Sequence, residues 1–393
     1  MICAVTAAAI AVSLAVPLGM MAASVAAMVF GLFCLLSGRW RWEARESPLA
    51  AINAGFAVYA LGTMALVAFH GEGLPACEML LPFLGAGLLG IGLRMTALPS
   101  ALVPASLACA CIGAAIGGVA MVAAAGRMHR VEFLGVGTTL GAMGAVYALL
   151  CARFLAWPAF DGRRWLKALL VCGAAGGVVV SFLSGTKGSW LLLALGAPFA
   201  LWPAVRRCGA AGRAAVLLGI AAAVGAALLL PNSPVLPRAR ELLRDGDQFR
   251  KAYWTEAVRA AREAPWVGVG REELASRLDR AALSVRPYAP HERPPREAHN
   301  EYLDTAAARG AAGLVFLAPA FLVPLGVFLH LRRRGPEARA AADTGILLVL
   351  VFAAAGITDA LFMLNAKRMT YLFLVLHLAV TATAPAPTPR PSA

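Results

Sequence analysis

Apolar runs follow one another along this chain, separated by short polar turns, and one long polar stretch interrupts them near the end. A helix needs about 20 apolar residues to cross a bilayer, with a usable range of about 17 to 25. On that measure the pattern predicts twelve membrane helices, at 2–17, 18–37, 49–69, 79–93, 101–125, 133–157, 165–183, 189–205, 214–230, 308–331, 344–363 and 369–383. The first run lacks the basic flank of a signal peptide and is kept as a span. The fourth is short and rich in glycine. An even count puts both termini on one side. The basic clusters at 39–45, 163–167, 206–213 and 332–339 then all face the cytoplasm, and the turns at 70–78, 126–132 and 184–188 face outward. Arg127 and Arg130 run against that assignment.

The stretch 232–307 carries 13 Lys/Arg and 12 Asp/Glu, against 35 and 21 in the whole chain. So many charges cannot sit in lipid, so this stretch is a water-exposed loop between membrane helices. The expected division is 1–230 for nine spans, 231–307 for the loop, 308–384 for three more spans and 385–393 for a Pro/Ala tail that is disordered by composition. Within the loop, 238–264 is rich in helix formers and broken at Asp245-Gly-Asp247. Phe249, Tyr253, Ala257 and Ala260 recur at helical spacing, which predicts an amphipathic helix able to lie on the bilayer surface. Pro265 ends it, Val267–Gly270 is a turn, 272–283 is a second helix, and four prolines keep 285–295 extended. From Asn300 the chain runs straight into the tenth span, so His299 falls at or just before a helix start.

Composition agrees: 60% hydrophobic, 14% charged, mean hydropathy +0.73. A soluble domain is closer to 25% charged, so the fold class is an all-α polytopic membrane protein. A net charge of +14 invites a nucleic-acid partner, but the basic residues sit mainly in short inter-helix loops, where topology and anionic lipid account for them. Eight cysteines all precede the large loop, mostly in apolar runs, and read as small apolar fillers.

Few residues remain that can carry chemistry. His299 has two readings, a helix-start residue capping Leu303 or Asp304, or a general base held neutral by the helix N-terminus. Arg250 is either a solvated position or a fork for phosphate oxygens. Lys187 lies between two apolar runs and is flanked by glycines. It either snorkels to the interface or meets an anion there, where Gly185 and Gly188 let backbone N–H groups approach. Asp245 and Asp247 have the spacing of a metal-dependent sugar-transferase site but read as a turn with a helix cap. No metal-binding pattern and no cofactor motif is expected. Asp359 is the main charge inside a span, with Lys367 or Arg368 as its candidate partner.

Four features occur in order: Ser184-Gly-Thr-Lys-Gly188 after a span, Arg250 with Trp254, Pro265-Trp-Val-Gly-Val-Gly270, and Ala298-His-Asn-Glu-Tyr-Leu303 with Gly310 and Gly313 beyond. Together, from about 178 to 331, they resemble the O-antigen ligase/polymerase superfamily of bacterial envelope proteins. The resemblance implies a GT-C-like glycosyltransferase of the bacterial inner membrane. Such enzymes move a glycan from undecaprenyl diphosphate to an acceptor hydroxyl on the periplasmic face without metal. It implies catalytic roles for His299 and Arg250 and substrate-binding roles for Lys187, Thr186, Asn300 and Tyr302. Tyr302 reads equally as an interface tyrosine. Lysine at 187 departs from the arginine usual there, keeping the charge and losing the bidentate fork. Within the superfamily a ligase acting on a lipid A–core acceptor is favoured. The O-antigen polymerase and the protein O-oligosaccharyltransferase come next, and a lipid-linked sugar flippase or other transporter is a more distant alternative.

Overall fold

The computed structural model describes residues 2–16, 18–41, 46–124, 137–207, 209–229, 235–237, 240, 248–285 and 297–384. Asp245, Asp247 and the 385–393 tail lie outside the described residues. All regular structure in the described residues is helical. The helices in chain order are α1 (Ile2–Ala11), α2 (Leu18–Leu36), α3 (Ser47–Phe69), α4 (Pro75–Glu78), α5 (Leu81–Leu84), α6 (Ala86–Thr96), α7 (Leu102–Ala124), α8 (Gly137–Phe154), α9 (Arg164–Leu183), α10 (Lys187–Val205) and α11 (Ala210–Leu229). They continue with α12 (Gln248–Glu263), α13 (Arg271–Val285), α14 (Glu301–Leu331), α15 (Pro336–Ala355) and α16 (Asn365–Ala382).

Among the described residues, seven helices are long and apolar enough to cross a membrane: α2, α3, α7, α9, α10, α14 and α15. The sequence predicts twelve, and three of the five further runs differ for local reasons. The run at 79–93 is divided into the short helices α5 and α6, which meet at Gly85. The run at 2–17 yields only ten helical residues. The last run lies within α16, whose first turn also takes in Lys367 and Arg368.

That last helix is the axis of the core. Nearly every residue of α16 from Lys367 to Ala379 is buried, and Tyr371 donates its hydroxyl to Ala320 O of α14 at 2.8 Å. Aromatic rings of α3, α5, α14 and α15 close around Tyr371 and Phe362. Small residues set the spacing elsewhere. A Cβ on Gly92 of α6 would fall 1.8 Å from Ala27 O of α2, so only glycine allows those backbones to touch.

The outer segment is a small helical unit of its own. Tyr253, Ala257 and Ala260 of α12 are buried with Leu274, Leu278 and Ala282 of α13 and Ala307 and Ala308 of α14. The amphipathic face expected to lie on a bilayer is therefore used inside the protein. The apolar stripe is as the spacing requires, but two protein faces cover it.

Candidate active site at the start of α14

Helix α14 begins inside the outer unit and is broken at Gly310, whose φ of 63 and ψ of −162 leave the helix. The backbone groups this break frees are taken up by the turn after α12. Ala311 N and Ala312 N donate to Pro265 O and Trp266 O at 2.8 and 3.0 Å, while Val269 N and Gly270 N donate to Ala307 O and Ala308 O at 2.9 and 3.1 Å. The close approach requires glycine on both sides. A Cβ on Gly310 would lie 2.3 Å from the Trp266 carbonyl carbon, and one on Gly268 (φ +74) would lie 2.3 Å from that of Ala308. The glycine turn and the glycine beyond the histidine are thus two halves of one clasp. In an apolar setting such a break persists only because its groups are paired again.

Charged residues brace the clasp. Glu72, from the turn after α3, accepts two hydrogen bonds from Arg309 at 2.7 and 2.5 Å and one from Arg271 N at 2.5 Å. Burial alone would raise the Glu72 carboxyl, but the bonds from Arg309 and the Arg271 amide hold it below the usual carboxylate value. The Arg271 guanidinium pairs with Asp304, whose other oxygen accepts from Ala298 N at 2.9 Å. Trp254 donates its indole N–H to Ala298 O at 3.0 Å. Ala298 is thus held from both sides immediately before the histidine.

His299 itself has a φ of +49, a left-handed conformation uncommon outside glycine. The helix cap is Asn300: its side-chain oxygen accepts from Tyr302 N at 3.1 Å and Leu303 N at 3.0 Å. That removes the capping reading of His299 and commits the Asn300 side chain to the helix start. The Tyr302 hydroxyl donates to Ala353 O at 2.6 Å and joins α14 to α15 instead of standing free beside His299. Glu301 N donates to Gly356 O and Asp359 O at 2.7 and 3.1 Å, which brings the α15–α16 loop against the histidine.

Two carboxylates face the imidazole. His299 Nδ1 lies 3.5 Å from Glu297 Oε1 and 4.0 Å from Asp359 Oδ1. Asp359 Oδ2 pairs with Lys367, a fully buried ammonium, whereas Asp359 Oδ1 is buried with no hydrogen-bond partner. Burial works against ionising Asp359, but the Lys367 charge outweighs it and the carboxyl is held down at about 2. Glu297 lacks such a partner, and burial pushes its carboxyl up. Glu297, His299 and Asp359 are spaced closely enough to share a metal ion. Lys367 already neutralises Asp359 from its other oxygen, so a cation there would meet a carboxylate whose charge is balanced.

The other expected site residues approach from two sides. The Tyr253 ring of α12 lies 6.2 Å from the His299 ring. Arg250, half-buried, is one turn earlier on the same side of that helix. Lys187 is the first residue of α10, after Thr186 in extended conformation. Thr186 N donates to Ser184 Oγ at 3.2 Å, Ser189 Oγ donates to Thr186 O at 2.7 Å, and no described residue pairs with the Lys187 ammonium. This turn packs on the loop that carries Asp359: a Cβ on Gly188 would lie 2.5 Å from Thr358 Oγ1. Glu297, Tyr253 and the Arg271–Asp304 pair are the members that sequence reasoning passed over. Glu297 stands only two positions before the histidine and was legible as a nearby carboxylate, whereas the others come together only through folding.

Residues 172–318 match the family model described as O-Antigen ligase. The match takes in Lys187, Arg250 and His299 and ends in α14, before Asp359 and Lys367. A search of curated proteins returned no match.

Proposed function

We propose that this chain, whose residues 172–318 match the O-antigen ligase family model, is the ligase itself. It transfers a glycan from undecaprenyl diphosphate to a sugar hydroxyl of lipid A–core. In this reading the chain spans the bacterial inner membrane twelve times in a GT-C-like arrangement, with His299 on the periplasmic face. The observation that carries the reading is the setting of His299. Its Nδ1 edge faces the ionised Asp359, and a carboxylate there favours the tautomer protonated at Nδ1. Nε2 is then left as the acceptor of a proton.

The acceptor hydroxyl gives that proton to Nε2 as its oxygen bonds to the sugar C1. The bond from C1 to the phosphate oxygen breaks, and the diphosphate leaves with the electron pair, inverting C1. Arg250 and Lys187 offset the charge that grows on the leaving group, so the step needs no metal. Lysine at 187 contributes a point charge, without the geometry of a guanidinium fork. The long, apolar first half supplies the bilayer surface along which both lipid-borne substrates reach the site.

Deletion of the gene in its host, with lipopolysaccharide resolved on a gel, tests the assignment. A ligase defect leaves long chains on undecaprenyl diphosphate beside bare lipid A–core. Core carrying a single repeat unit would instead make the protein an O-antigen polymerase.

A further inference from the structure

Beyond the break at Gly310, α14 continues for 21 residues to Leu331, about 30 Å of helix. His299 stands at one end of α14. At the other, two arginines from separate elements meet one carboxylate, and a third arginine stands close by. Asp343 of α15 accepts from Arg153 of α8 at 3.1 Å and pairs with Arg332, just past α14, at 2.5 Å. Arg207 donates to Ala156 O at 2.9 Å, and the charges of Arg207 and Arg332 both act on Arg153. Asp343 is thus shared between two guanidinium groups, Arg153 and Arg332. Arg153 is 94% buried, since only 6% of its surface is exposed. It has five N–H donors, yet Asp343 is its one hydrogen-bond partner among the described residues.

Arg153, Arg332 and Asp343 sit at the end of an apolar groove of about 400 Å³ between α10, α14 and α15. Along α15 the groove runs from Asp343 to Ala354, about 16 Å of helix. Its rim residues Leu195, Phe199, Leu329 and Leu350 are exposed on the outside of the bundle. An apolar channel open to the side, closed at one end by surplus guanidinium, matches one kind of molecule: an acyl chain under a phosphate. Arginine binds phosphate with paired donors, and a basic cluster at the edge of a bilayer attracts anionic headgroups.

We propose that this groove is a binding site for an anionic phospholipid from the leaflet opposite the His299 site. One acyl chain lies against Leu350 and Phe199, and the headgroup phosphate meets Arg153 and Arg332, with Arg207 adding positive charge nearby. The site is separate from the transfer reaction and does not depend on its identity.

The test uses the full-length protein in detergent, titrated with phosphatidylglycerol or phosphatidylcholine of identical acyl chains, with bound lipid read by native mass spectrometry. Phosphatidylglycerol should bind at least about fivefold more tightly. The double variant Arg207→Gln/Arg332→Gln, which changes two exposed side chains, should bind the two lipids equally. Leu350→Trp, which fills the groove from its rim, should weaken both while the size-exclusion profile stays that of the wild type. Equal binding of the two lipids by the wild type would overturn the proposal, as would selectivity that survives the double variant. Undecaprenyl phosphate displacing phosphatidylglycerol at a tenth of its concentration would also overturn it, by assigning the groove to the isoprenoid carrier.

Discussion

Two charge clusters flank the first turns of α14, and they differ in how completely their members are paired. On one side Glu72, Arg309, Arg271 and Asp304 form a closed set: Arg309 forks onto Glu72, Arg271 takes Asp304, and both carboxylates also accept backbone N–H groups. On the other side the set is open. Asp359 has one oxygen on Lys367 and one with no hydrogen-bond partner, and His299 stands 4.0 Å from it. A closed network has no group left to offer a substrate and holds the backbone in place. An open one retains a proton-accepting edge whose charge is already balanced. In the proposed mechanism, the first cluster places the residue that the second equips to react.

The sharpest break of this comparison is His299→Ala. Turnover should fall by about 10²- to 10⁴-fold, the usual cost of losing a general base, while donor-lipid affinity and thermal stability stay near those of the wild type. The measurement is turnover in nanodiscs alongside lipid-diphosphate binding. A variant with normal turnover would take the base out of the mechanism.

Arg309→Ala should do the reverse. It leaves Glu72 without its ion partner, held only by the Arg271 amide, and breaking a buried pair costs about 3 to 5 kcal/mol. Thermal unfolding in detergent should show that loss, with turnover per folded molecule much less affected. Glu72→Gln combined with Arg309→Met should recover most of the stability. If the double variant is as unstable as Arg309→Ala, the pair is not the brace described.

A pH profile separates the two carboxylates. Asp359 is depressed below its unfolded value of about 3.9, so its contribution to stability is full above that value and is lost only as pH falls through about 2. Glu297 is raised, so it favours the fold at low pH, and that contribution fades as pH climbs from about 4.3 through its folded value. Lys367→Met removes the charge that outweighs burial at Asp359. The carboxyl then rises, and the acid limb of turnover should move to higher pH. Superimposable profiles for the two proteins would disconnect Asp359 from His299.

The smallest effect is expected on the outer face of the loop. Arg277 pairs with Glu263 and Glu273, both about half exposed, and such pairs contribute about 0 to 1 kcal/mol. Arg277→Gln should leave both turnover and melting temperature within error of the wild type. A large shift would mean that charge pairing, and not its burial, sets what the outer unit withstands.

Much of this could be read from residue order alone. Apolar runs announce membrane helices because lipid admits no unpaired backbone, and that rule acts on each segment separately. The helices α12 and α13 follow from spacing and from Pro265, and the position of His299 follows from the start of the tenth predicted span. The family motifs were legible for the same reason: each is a local solution, a turn or a helix start, that a few adjacent residues specify.

What residue order could not supply was which partner each local solution meets. Gly268 and Gly310 are both glycines in sequence, but that a Cβ on either would collide with the backbone beside the other is a fact of packing. Asn300 and His299 stand side by side, and only the observed dihedrals show that the first caps the helix while the second is left turned toward Glu297 and Asp359. Asp359 is 60 positions from His299 and reads in isolation as an acid in a span. Its charge is stable because α16 passes through the centre of the bundle and brings Lys367 to it. Burial makes every lone charge costly, so the choice of partner is settled by the whole assembly of helices and not by the segment that carries the charge.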